Sequence, residues 1–390
     1  AYVLLGHSSG TGKGNGTGTG TGGVVGPPAL ALPRCTTATA KATALTKVGI
    51  ASVALAGNPF GVSVTEDGRY SFVSLGNSVA MLSNGSSGAA PVLKRTIPVV
   101  GAQKGEAVTG NGYLLATTGS GAAVISIADA ERDTANPVIG TLTSPDGSGA
   151  VEVATSPDDQ FVFVTLQNTD NMAVFNLAEA LAHGFGRSDF IGYVPFNAQP
   201  VGIAESSDGR WLYVTSIQGG NSNDPGQGQL SMISMRGAET KPATAVFRRV
   251  AAGCNPARVI ISANGKDVWV TARQSNSLLG FSAAALTGSA GARSLIAKVA
   301  VGANPIGVAL VNGGTRIVVA DSNLSNLPDA VSNLAVVSVA DALAGKPALL
   351  GLITSGQVPR QFALEHGGRT LLVTDQNGHE LQAIQLADLP

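Results

Sequence analysis

The chain of 390 residues carries a formal charge of −1, and only 13% of its side chains are charged. No basic stripe is present, which excludes nucleic-acid binding driven by phosphate charge. No run of 18 apolar residues occurs, so no membrane-spanning helix is expected. Glycine supplies 51 residues and aromatics only 5%, the composition of tight turns and β-branched strands. Low charge, abundant Ser, Thr and Asn and only two cysteines suit an exported chain, and an Ala at position 1 suggests a mature, processed chain or a fragment. The expected location is extracellular, periplasmic or on the cell surface.

Residues 1–42 read as an N-terminal extension. "AYVLLG" is a short apolar strand, and glycine then alternates from Gly10 to Gly22 as a flexible tether. Gly18, Gly20 and Gly23 match a dinucleotide-binding fingerprint in letters only, since no helix follows to receive a pyrophosphate. The extension has three readings: the remnant of an export signal, a segment folded back on its own chain, or a strand donated to a neighbour. The last makes residues 1–40 a route to self-association or to a protein partner. Cys35, at the root of the extension, and Cys254 form a disulfide within one chain or between chains, or remain separate thiols.

From residue 43 to 390 the chain repeats itself. "AGNPFGVSVTEDGRYSFVSL" from Ala56, "NAQPVGIAESSDGRWLYVTS" from Asn197 and "GANPIGVALVNGGTRIVVAD" from Gly302 share one pattern. Related stretches start at Gly101, Gly147, Ala252 and Ser355, making seven copies. Twelve residues separate Gly61 from Val73, Glu152 from Val164, Gly202 from Val214, Arg258 from Val270, Gly307 from Val319 and Gln361 from Val373. Each copy reads as four strands: a hairpin on an Asp-Gly, Asn-Gly or Gly-Gly turn, a third strand, an Ala-rich turn and a fourth strand. Seven such units predict an all-β, seven-bladed β-propeller with four-stranded antiparallel blades. The last copy lacks its fourth strand. The segment at about 43–56 has the right pattern and is expected to complete that blade and close the ring.

"SSDGRWLYVTS" and its variants "VWVTA", "LLVTD" and "VFVTL" resemble the YVTN-repeat family of seven-bladed propellers. "GANPIGVAL" is similar to that family's inter-blade loop. The resemblance implies the fold and a surface or exported role. It also implies kinship with lactonase-type propellers, some of them metal-dependent hydrolases, without carrying any catalytic residue over.

Chemistry is sparse. The histidines His7, His183, His366 and His379 show no metal-ligand spacing, and no nucleophile elbow occurs. The informative position begins each first strand. Gly61, Gly202 and Gly307 are small there, whereas Glu152, Arg258 and Gln361 are long and polar. These three either grip a polar ligand at the channel mouth or bridge the channel structurally. Glu106 and Arg360 lie near equivalent places, and Asp321 and Asp375 follow second strands on the same face. No cofactor is expected, although carboxylate and amide oxygens in the channel are compatible with a divalent cation. The expected function is a binding or structural module of a cell-surface or extracellular assembly. The alternative is a lactonase-like hydrolase with its site at the channel mouth.

Overall fold

The computed structural model describes residues 30–86, 88–218, 226–288, 293–365 and 367–390. They form seven four-stranded antiparallel sheets. In chain order, blade 1 spans 62–98, blade 2 spans 106–143, blade 3 spans 150–195 and blade 4 spans 200–254. Blade 5 spans 256–300 and blade 6 spans 305–354. Blade 7 takes three strands from 359–385, and its outer strand is Ile50–Ala54. That strand pairs from Ile50↔Ile384 to Ala54↔Glu380, so the ring is closed by the N-terminal side of the chain.

The closing strand is shorter than its sequence pattern. Residues 43–45 instead lie on the outer strand of blade 6, Leu349–Thr354, with Ala44 bridged in parallel to Leu352. A turn over residues 46–48 then brings the chain to blade 7. The apolar 43–56 stretch thus serves two sheets.

The constant twelve-residue spacing has a direct cause in hairpin register. The residue after each informative position pairs with the spaced valine: Val62↔Val73, Val153↔Val164, Ile203↔Val214, Val259↔Val270, Val308↔Val319 and Phe362↔Val373. Blade 2 is one residue shorter. There Gly105 takes the informative position, and Glu106, paired with Ala116, sits one place further along the strand.

Sheets pack face to face, so both faces of a strand must be apolar. Phe72 and Met81 of blade 1 meet Leu114 and Ile125 of blade 2. Val162 and Phe175 of blade 3 meet Leu115 and Val124 of blade 2. The Ala-rich turns are short helices rather than turns. Ser126, Asn176, Ser234, Ser282 and Ser338 end the third strands and cap them, each accepting a backbone N–H three residues on.

The two cysteines form a disulfide within the chain. Cys254 is the fully buried last residue of the outer strand of blade 4, Val246–Cys254. The strap around Cys35 follows the rim from blade 4 past blades 5 and 6. Gln227 Nε2 donates to Pro33 O, Thr36 N to Gln274 O and Ala40 N to Val301 O. It therefore reaches the closing strand without crossing the channel. Residues 1–29, with the apolar strand and glycine tether, lie outside the described residues, as does His366.

Candidate functional site

The repeated threonine of the second strand organises the channel mouth. In blade 4, Thr215 Oγ1 accepts from Gly202 N at 3.0 Å and donates to Ala257 O of blade 5 at 2.8 Å. Thr165, Thr271 and Thr374 repeat this, donating to Val201 O, Ile306 O and Phe60 O. Ser74 does the same to Lys104 O. Between blades 2 and 3 a backbone bond replaces it, from Gly105 N to Val151 O. From blade 6, Ser322 Oγ donates to Pro359 O. The hydroxyl thus joins two strands of its own blade and the start of the next.

Most residues pinned this way belong to one ring. Phe60, Lys104, Val151, Val201, Ala257, Ile306 and Arg360, one per blade, line a pocket of about 210 Å³ at the mouth. Gln167, Ile217, Arg273 and Leu324 of the second-to-third-strand loops complete it, together with Arg258. The ring sits one residue upstream of the position the repeat singles out.

β-Bulges aim the polar side chains. The pairing shifts between Ala150 and Val153, between Pro256 and Val259, and between Pro359 and Phe362. Each extra residue turns Glu152, Arg258 or Gln361 into the channel. Gly105 leaves them room: a Cβ there would lie 2.7 Å from Val151 O and would strike the Glu152 carboxylate. At Gly307 a Cβ would lie 2.6 Å from Arg360 O, so the neighbouring blade's backbone enforces the glycine.

Three blades meet across the channel. Arg258 Nε of blade 5 lies 2.9 Å from Glu152 Oε2 of blade 3, and Gln361 Nε2 of blade 7 donates to Glu152 Oε1 at 2.7 Å. Glu152 and Arg258 are 5% and 8% exposed, so little water screens the pair. Burial raises the Glu152 carboxyl, and Arg258, Gln361 and Lys104 oppose that shift. Glu106 points to blade 1, 3.5 Å from Ser63 Oγ. Burial lifts its carboxyl well above the usual range, the Ser63 bond opposes this and Glu152 adds to it. Burial thus disfavours the charged form of Glu106.

The rest of the mouth is cationic. Arg360 Nε donates to Gln376 Oε1 at 2.6 Å, and its guanidinium lies 5.2 Å from the centre of the Phe60 ring. Arg258 lies 5.8 Å from the same ring. Burial, then Arg258 and Arg273, brings Arg360 down to about 10, still protonated at neutral pH. Burial and then the neighbouring guanidiniums also lower Lys104 and Arg273.

The structure brings Glu152, Arg258, Gln361 and Arg360 to the mouth, with Glu106 beside them. It does not bring Asp321 or Asp375 there. Asp321 Oδ2 accepts Gly302 N at 2.9 Å, and Asp375 Oδ1 accepts Ser355 Oγ at 3.0 Å. Both are fully buried and tie down the strand-to-strand connection that enters their blade. Sequence reasoning missed Phe60, Lys104 and Arg273. The first two directly precede the repeat position or its one-residue-short equivalent, and Arg273 follows the repeated threonine by two residues, as Gln167 and Ile217 do. Among the described residues no three His, Cys, Asp or Glu side chains are grouped to hold a metal ion.

Comparison with known proteins supports the fold. No family model and no curated protein matches the chain. Among solved structures, Kuenenia stuttgartiensis hydrazine synthase superposes with a TM-score of 0.67 at 15% identity, covering 87% of this chain and 98% of that one. The β-propeller domain of Myceliophteria thermophila Cps50 (Swd1) superposes with a TM-score of 0.62 at 11% identity, covering 86% and 98%. At such identities the likeness is one of fold. The chain is a seven-bladed β-propeller, an architecture suited to a binding or structural module. Its disulfide fits a non-cytoplasmic protein.

Proposed function

We propose that this protein is an exported binding module of the YVTN-repeat type whose ligand sits in the channel mouth. The observation that carries this reading is the ring of seven residues, six of them pinned at their carbonyls, around a pocket. Arg258 lines that pocket, and its buried Nη2 has no hydrogen-bond partner among the described residues. Buried donors in native proteins are normally satisfied, so an open one inside a pocket marks a place for a ligand group. Export is supported by the disulfide, which persists in oxidising compartments. Kinship with YVTN-repeat propellers is supported by the repeat and by its threonine joining neighbouring blades.

The lactonase-like alternative has less support. Arg258 and Gln361 each contact one Glu152 oxygen and stabilise its charged form, which weakens it as a base for activating water. A role in an assembly would use residues 1–40, of which Leu30 and Leu32 lie at the rim of blades 4 and 5.

A screen of small metabolites by thermal shift, on wild type and Ala257→Phe, tests the binding reading. Ala257 lines the pocket, so phenylalanine should fill it. Ligands that raise the melting temperature of wild type alone are expected. A screen whose ligands stabilise both proteins equally, or neither, overturns it.

A further inference from the structure

We infer that the channel mouth is a receptor for a compact organic anion carrying at least two acidic groups on an apolar body. This rests on the binding-module reading and names the ligand class for that site.

Charge is the first ground. Lys104, Arg258, Arg273 and Arg360 line one pocket of about 210 Å³. Glu152 faces Arg258, and Glu106 points away to Ser63 of blade 1, where burial disfavours its charged form. Among the described residues, neither Lys104 Nζ nor the Arg273 guanidinium has a hydrogen-bond or ion-pair partner. Arg360 is held by the neutral Gln376 amide and the Phe60 ring, with no carboxylate in ion-pair distance among the described residues. Three cations thus stand around one pocket without an ion-pair partner among the described residues, and burial and then neighbouring guanidiniums, Arg258 foremost, push each toward its neutral form, with Glu152 opposing this only at Lys104. Such repulsion in a poorly screened site favours occupation by negative charge. A single carboxylate would answer one of the three.

Shape is the second ground. The pocket is smaller than drug-sized sites of about 300–1,000 Å³, which makes the ligand compact. Between the cations its wall is apolar, from Val151, Val201, Ile217 and Ile306, and Phe60 presents a ring. An inorganic anion would leave that surface unused. Guanidinium groups accept carboxylate and phosphate alike through paired N–H bonds, so the acidic groups are of either kind.

Pre-organisation is the third ground. The carbonyls of Phe60, Lys104, Val201, Ala257 and Ile306 are fixed by hydroxyls of the preceding blade. The backbone of the ring is therefore already ordered before a ligand arrives, which lowers the cost of binding.

The test is calorimetric titration of the full oxidised chain at low ionic strength. The probes are phthalate, its uncharged isostere phthalamide, the monoacid benzoate, and inorganic phosphate. Phthalate is expected to bind, with benzoate at least tenfold weaker and phthalamide silent. Phosphate should bind more weakly than phthalate. Arg273→Gln and Lys104→Met should each weaken phthalate about tenfold and flatten its salt dependence. Their melting curves establish that both variants are folded. Phthalamide or benzoate binding as tightly as phthalate overturns the proposal, as does phosphate matching it. If all these probes are silent while an uncharged metabolite passes the Ala257→Phe screen, the anion class fails and the module reading stands. Silence of both experiments removes both.

Discussion

Glu152 of blade 3 and Arg258 of blade 5 face each other across the channel at 2.9 Å, with Gln361 of blade 7 holding the second carboxylate oxygen. A buried pair of this kind is costly to break from one side, because the survivor keeps its charge without a partner. Arg258→Met is expected to lose about 3–5 kcal/mol in urea denaturation. The double variant Glu152→Met, Arg258→Met should regain most of that loss. Equal losses in the single and double variants would show that the two side chains are not coupled.

The threonine ring makes a separate prediction. Thr215→Val conserves shape but leaves Gly202 N–H and Ala257 O without their hydroxyl. The expected cost is about 1–3 kcal/mol, the penalty for orphaned buried groups. Thermal unfolding of Thr215→Val beside Thr215→Ser measures it, and the serine variant should keep most of the stability.

Asp375 supplies a pH signature. Burial pushes its carboxyl up to about 7 from 3.8, against the hydrogen bond from Ser355 and with help from Glu380. The folded chain therefore holds a proton that the unfolded chain releases near pH 4. That contribution is fully present below pH 4 and is lost as pH rises to 7, a change of order ~4 kcal/mol. Asp375→Asn stays neutral throughout. Its stability relative to wild type should climb between pH 4 and 7 and then level off. A constant offset across that window would contradict the assignment.

The strap connects the disulfide to the pocket. Thr36 N donates to Gln274 O at 2.8 Å, Asn276 Nδ2 donates to Ala38 O at 3.0 Å, and Cys254 N donates to Ser275 Oγ at 2.9 Å. These contacts hold the turn that carries Arg273. Cys35→Ser should lower phthalate affinity several-fold in wild type, and much less when Arg273 is already Gln. Such non-additivity is the mark of a shared route. The same variant should lose about 2–5 kcal/mol of stability, as expected for a bridge closing a long loop. On a non-reducing gel, reduction should change the mobility of wild type without changing the number of chains.

The fold was largely legible because a β-propeller repeats its constraints. The register of six hairpins lies in the spacing of one valine, and the missing fourth strand after residue 385 announced the closure. The site was less legible because its geometry depends on bulges. One inserted residue turns Glu152 and Arg258 into the channel and exposes the preceding residue at the mouth. Periodicity alone thus picked Glu152, Arg258 and Gln361, which meet across the channel, and passed over Phe60 and Lys104. Arg273 stands two residues after the repeated Thr271, as Gln167 and Ile217 stand after Thr165 and Thr215, but the residue type there varies from blade to blade, so only the folded ring shows that these places share one pocket. Asp321 and Asp375 matched the polar face by position, yet the orphan amide and hydroxyl groups of the preceding connection claim them first. The path of Cys35 was open to several readings because nothing in a sequence says which way a strap runs around a ring.

That path decides how the molecule carries a mechanical load. Tension applied at the N-terminal end passes from Cys35 directly into Cys254 and on through blades 5 to 7, leaving residues 36–253 as slack off the line of force. The closing strand Ile50–Ala54 lies within that slack. While the bridge is intact, the N-terminal pull does not reach the seam of the ring. Once it is reduced, the same pull peels the strap from blade 6 and then unzips Ile50–Ala54 from its neighbour, one residue pair at a time.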